Sequence, residues 1–118
     1  MMVVAIISIL AGIAIPAYNG YIQNAKVTEC LNEMEAIKLA EEEFSNVNLS
    51  YFAGASVAAL QAASSGTYTP SAQALAANSN CSFTVVAGAT GNIATSYTLT
   101  STGQNELVTL GVISTFNR

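Results

Sequence analysis

Only 8% of the 118 residues are charged, against about a quarter in ordinary soluble domains, while 52% are hydrophobic. The net charge of -4 sets seven acids, all glutamate, against Lys26, Lys38 and Arg118, and the chain has no histidine, aspartate or tryptophan. This balance excludes a basic grip on phosphates, so nucleic-acid binding by this chain alone is not expected, and it removes the commonest general base and the usual metal ligands. No enzyme, cofactor or metal site is expected.

The first 25 residues carry no charge, and MMVVAIISILAGIAIPAY is apolar almost without interruption. About 20 helical residues cross a bilayer core of roughly 30 Å, so this segment is long enough to span one. It differs from a secretory signal in having no basic start, and its pattern runs on through Tyr18 and Tyr21 into an amphipathic stretch. Gly12 and Pro16 weaken a helix here, because glycine adds backbone entropy and proline removes a ladder hydrogen bond. A kink or local unwinding is predicted at these two positions, with Ser8 as a candidate to satisfy a freed carbonyl.

From Gln23 to Phe44 the apolar residues Val27, Cys30, Leu31, Met34, Ile37, Ala40 and Phe44 recur at three- and four-residue steps, the period of a helix with one buried face. A single helix is predicted from near Met1 to about Ser45, longer than a domain this small could cover, so half of it must project. Cys30 lies on the apolar stripe. Cys81 is the other cysteine, and neither has a metal-ligand neighbour at suitable spacing. A Cys30–Cys81 disulfide is the simpler reading, stapling helix to sheet and placing the domain in an oxidising compartment. The alternative is two buried thiols that never meet.

Residues 46–81 are rich in Ala, Ser, Gly, Thr and Asn and read as loop, with one short helix around Ser56 to Ala63. SFTVVA, TSYTLTS and ELVTLGVIS then carry strand composition, separated by GATGN and TGQNE as hairpin turns. The predicted fold class is α+β: a long N-terminal helix packed on a small antiparallel sheet of about three strands in meander order. The corresponding division is a hydrophobic half-helix, 1–24, and a globular part, 25–118, made of an amphipathic half-helix 25–45, a loop region 46–81 and strands 82–118.

Other features carry little chemistry. Glu41, Glu42 and Glu43 point in different directions on a helix and read as a solvated face. Lys26, Glu29 and Glu33 offer surface ion pairs along the helix. Tyr18, Tyr21, Phe44, Tyr51 and Phe52 read as packing and interface residues rather than an electron path. Asn48-Leu49-Ser50 and Asn80-Cys81-Ser82 match the glycosylation pattern, too short a match to assign a site.

The run MMVVAIISILAGIAIPAYNGYIQNAKVTEC resembles the N-terminal helix of type IV pilins and type II secretion pseudopilins. The likeness is close over about 30 residues and architectural beyond them. It implies a subunit held in the inner membrane by its apolar half-helix, then delivered by the pilus assembly machinery into an extracellular homo-oligomeric helical filament. Val3, Val4, Ile6, Ile7, Ile9, Leu10, Ile13 and Ile15 would form the filament core. The stretch from about Ser8 to Pro16 would be unwound in the assembled state. The family's processed, methylated aromatic residue and its early glutamate would fall before Met1, so the expectation is a sequence that continues upstream, the alternative being a divergent member of the family. A major pilin for adhesion, twitching motility or DNA uptake is the leading reading. The alternatives are a pseudopilin, whose calcium site would lack ligands here because Glu106 is the sole acid after Phe44, and a single-span membrane protein that forms no filament.

Overall fold

The computed structural model describes residues 1–76 and 79–118. Helix α1, Met2–Asn48, runs for 47 residues. At about 1.5 Å per residue its length accounts for the 71 Å long axis of the molecule. It ends where Leu49 adopts a left-handed conformation (φ 56°) and donates its N–H to the Ser45 carbonyl at 2.9 Å. Glycine or asparagine usually takes that position, because a Cβ is disfavoured there.

Helix α1 is continuous through Gly12 and Pro16. Of the kink or local unwinding predicted at these residues, the unwinding is absent from the single chain. A proline inside a helix costs one ladder bond, and the flanking turns remain helical on their own bonds. Ser8 plays a different part from the one expected of it. Its hydroxyl donates to the Val4 carbonyl at 2.8 Å, one turn back, rather than to a carbonyl freed by Pro16.

Three antiparallel strands form one sheet in the order β1 (Cys81–Ala87), β2 (Tyr97–Gly103), β3 (Val112–Asn117). The fold is α+β, a long N-terminal helix on a three-stranded antiparallel meander. Phe83 faces Ser101 and Val85 faces Leu99 across the first pair, and Thr100 faces Thr115 across the second. Alternate residues of β1 and β2 (Phe83, Val85, Tyr97, Leu99) enter the core, where they meet Cys30, Met34, Ile37 and Ala40 of α1. This is the period-2 pattern of a half-buried sheet meeting the apolar stripe of a helix.

The predicted stripe needs two corrections. Leu31 is exposed, and Glu41, read as part of a solvated face, is fully buried. The connections also differ from tight hairpins. Thr95 and Ser96, read as strand, lie in the 88–96 connection, where the Ser96 hydroxyl is 2.6 Å from that of Thr90. Glu106–Leu110, read as the start of the third strand, is instead a 3-10 helix spanning Asn105–Leu110. The reason lies in Leu107, which must turn into the core, where it is 1% exposed. Gly103 permits this, since a Cβ there would collide with the Leu107 carbonyl. Gly111 (φ 63°) then redirects the chain into β3.

Between α1 and β1, helix α2 (Val57–Ala63) falls where a short helix was expected, with the Ser56 hydroxyl accepting from the Ala59 N–H at 3.2 Å. A further single turn, α3 (Ala72–Leu75), is capped in the same way by Ser71. Gly54 pairs with Val85 through two backbone hydrogen bonds of 3.1 and 2.9 Å, covering part of the outer edge of β1.

Candidate assembly interface

Every residue from Met1 to Tyr21 is exposed. The eight residues predicted for the filament core all lie on this free segment, between 57% (Ile6) and 67% (Val3) exposed. So do Gly12 and Pro16, and nothing comes within 4 Å of where a Gly12 side chain would sit. The segment is long and apolar enough to cross a membrane, and none of it is buried within the subunit. A monomer in water rarely exposes a long contiguous apolar run of this kind.

The disulfide between Cys30 and Cys81 is closed, with the two Cα atoms 6.0 Å apart, and it joins the buried half of α1 to the first residue of β1. The free half of the helix is therefore anchored in the head by a covalent link as well as by packing. Ion pairs add further ties. Lys26 pairs with Glu106 of the 3-10 helix, and Arg118, beyond β3, pairs with Glu42. Lys38 bonds to Glu35 and lies 4.5 Å from the centre of the Phe116 ring. The surface pairs expected within α1 are thus replaced in part by longer-range ones. Glu33 likewise reaches off the helix, accepting from the Tyr68 hydroxyl at 2.6 Å. Burial, and then this contact, push the Tyr68 hydroxyl pKa upward.

Glu41 was missed by sequence reasoning. One carboxylate oxygen accepts the Phe52 N–H at 3.0 Å, and the other has no hydrogen-bond donor among the described residues. Burial raises its pKa from 4.5 to about 7, against a smaller lowering by the Phe52 hydrogen bond. Tyr97, also fully buried, is raised by burial and next by the Glu41 charge. A signal for Glu41 existed in its spacing, four residues after Ile37 and seven after Met34, but the run of three glutamates masked it.

The aromatic residues form local packing contacts. Phe44 meets Phe52 edge-on at 5.4 Å, and Tyr97 makes tilted contacts with Tyr51 and Phe116 at centroid separations of 4.7 and 5.9 Å. Tyr18 and Tyr21 stand apart from this cluster on the exposed helix. A cleft of about 300 Å³ lies between α1, α3 and β1, with Glu29, Glu33 and Asn80 on its wall. Glu33 is already engaged by Tyr68. Among the described residues, no group of three or more acidic, histidine or cysteine side chains could hold a metal ion.

The geometry defines an α+β protein with an apolar, exposed half-helix long enough to cross a membrane. Comparison with known proteins narrows the class. Two fimbrial proteins of Pseudomonas aeruginosa are each 52% identical to this chain over 42 residues, 36% of its length. The aligned part covers 27% of those relatives, so the chain matches only about a quarter of their length. No family model and no solved structure matches. The chain is thus similar in part to fimbrial proteins, and with its apolar helix it reads as a pilus- or membrane-associated structural protein.

Proposed function

We propose that this chain is a pilin of the type IV class, a structural subunit rather than an enzyme. The inner membrane holds the apolar half of α1 before assembly, the assembly machinery extracts it, and copies then pack into an extracellular helical filament. The observation that carries this reading is the single helix whose first half is apolar and wholly exposed while its second half is built into a disulfide-linked head. The partial likeness to fimbrial proteins supports it. Val3, Val4, Ile6, Ile7, Ile9, Leu10, Ile13 and Ile15 form the filament core, and Gly12 and Pro16 are where α1 gives way when packed among its neighbours. Lipid, not water, is the reference state before assembly, so the gain per subunit comes from packing. Adhesion, twitching motility or DNA uptake are the uses proposed for such a filament. A pseudopilin role is less favoured, because after Phe44 the chain offers a single acid for a calcium site.

Electron microscopy of the surface-sheared fraction of producing cells, followed by intact-mass analysis of the subunit, tests the proposal. Thin fibres containing this chain, with a mass two hydrogens below the reduced form, are expected. A protein found only in the membrane fraction under fibre-producing conditions would refute the pilin reading.

A further inference from the structure

Residues 49–54 form a strap from the end of α1 to the outer edge of β1. At its far end Gly54 pairs with Val85 through two backbone hydrogen bonds, and it lies so close to α2 that a Cβ there would stand 2.8 Å from the Leu60 nitrogen. At its near end Leu49 holds a left-handed conformation that its side chain disfavours. In between, the Tyr51 N–H donates to the Ile93 carbonyl at 3.3 Å, the Tyr51 ring lies 4.7 Å from that of Tyr97, and Phe52 is buried against Phe44. The hydrogen bond that ties the middle of the strap back to α1 runs from the Phe52 N–H to Glu41 Oε2, at 3.0 Å.

The carboxyl that accepts this bond is wholly buried, and its other oxygen has no donor among the described residues. The groups packed around it bring no free counter-charge. From β2 comes the Tyr97 hydroxyl, itself buried without a partner, and from the strap the Tyr51 ring. Lys38, one turn earlier on α1, bonds to Glu35 and lies over the Phe116 ring of β3. Arg118 pairs with Glu42 and lies over the Tyr51 ring, and Lys26 pairs with Glu106. Glu42 and Glu43, next in sequence, carry the same sign as Glu41. A neutral carboxyl fits this setting, whereas a carboxylate has a single N–H to stabilise it and no cation of its own. Burial accordingly lifts the Glu41 pKa from 4.5 to about 7, against a smaller lowering by the Phe52 bond. A closed strap is therefore fully favoured below about pH 4.5 and loses ground as pH rises through 7.

We infer that residues 49–54 are a pH-dependent latch: ionised Glu41 draws water in beneath Phe52, the strap lifts, and the edge of β1 at Val85 is bared while the rest of the head stays folded. Lifting the strap breaks the bonds of Phe52, Tyr51 and Gly54 but leaves the β1–β2 and β2–β3 pairings and the Cys30–Cys81 link intact. So few bonds make it a natural unit of local opening. The bared edge presents the N–H and carbonyl of Val85, free to pair with another strand.

Amide hydrogen exchange, read residue by residue by NMR on the full chain in zwitterionic micelles from pH 5 to 8, tests the latch. Each rate is compared with that of an unstructured chain at the same pH, so that the opening equilibrium alone remains. Protection at Phe52, Gly54 and Val85 is expected to lie at least about tenfold below that of Leu99 in the central strand β2 at every pH. It should also fall by about tenfold to a hundredfold from pH 5 to pH 8. In Glu41→Gln the protection of the strap should stay level with pH. Strap amides as protected as Leu99 throughout would show that the segment opens only when the whole head unfolds, and would overturn the latch. So would strap protection that is level with pH in the wild type, a result that stands even if the variant does not fold. A fall in Glu41→Gln equal to that of the wild type would assign the pH dependence to another group and overturn the role of Glu41.

Discussion

The two halves of α1 share one backbone and one continuous helix but sit under opposite rules. From Met1 to Tyr21 every side chain is exposed, whereas from Cys30 to Glu41 one side chain per turn is almost wholly buried against the sheet. The first half is apolar almost throughout and has no face to choose. The second alternates apolar with charged residues and therefore has a definite inside. A change in the first half should alter what the subunit joins, and a change in the second half whether the head folds.

The strongest way to break this comparison is Ile9→Asp or Leu10→Asp. A charge at the centre of a membrane helix costs about 2.5 to 3.5 kcal/mol. Fibres should disappear, while thermal unfolding of the head, which these residues do not touch, stays unchanged. Abundant fibres from either variant would remove the buried-core model. Ile37→Ala is the mirror experiment. Ile37 is 0% exposed, and truncating it should cost the head about 2 to 5 kcal/mol in denaturant unfolding. Replacing Cys30 and Cys81 by serine reopens a link of sequence separation 51 and should cost about 4 kcal/mol in the same assay, largely by releasing the unfolded chain.

Glu41 sharpens the comparison because its burial gives the second half a pH dependence that the first half lacks. Its folded pKa, near 7, lies above the ordinary 4.5. Its contribution is therefore fully present below about pH 4.5 and lost as pH rises through 7, with a slope of at most about 1.4 kcal/mol per unit. Glu41→Gln should flatten that fall, leaving the variant the more stable protein at pH 8. A wild-type stability that stays level from pH 4.5 to 8 would show that the carboxylate is solvated. The smallest effect is expected at the end of the helix. Leu49→Gly relieves a left-handed residue whose penalty is about 1 to 2 kcal/mol, partly offset by the entropy of glycine, and should raise stability by less than about 1 kcal/mol.

The long helix and the three strands were legible because each rests on a local pattern. An uninterrupted apolar run, a three-to-four-residue period from Val27 to Phe44 and strand composition in SFTVVA and TSYTLTS all survive without knowledge of neighbours. ELVTLGVIS misled for the same reason. Its strand-like composition is real, but Leu107 is needed in the core below the end of β2, and a 3-10 turn delivers it there. Glu41 was hidden between two other glutamates, and only the packing of α1 on Phe52 and Tyr97 separates it from them. The candidate interface was readable as a list of residues, since exposure of an apolar run follows from the shortage of chain to cover it.

By itself the sequence determined that this protein has more apolar helix than its own domain can bury, that it lacks histidine, aspartate and tryptophan, and that Cys30 lies on the apolar stripe of the helix. These are consequences of composition and periodicity, which act along the chain. Tertiary structure alone decided which glutamate is buried, where Lys26 and Arg118 find their partners, and that the start of the third strand folds into a 3-10 helix. Each depends on residues distant in sequence competing for the same space, and no local pattern records the outcome of that competition.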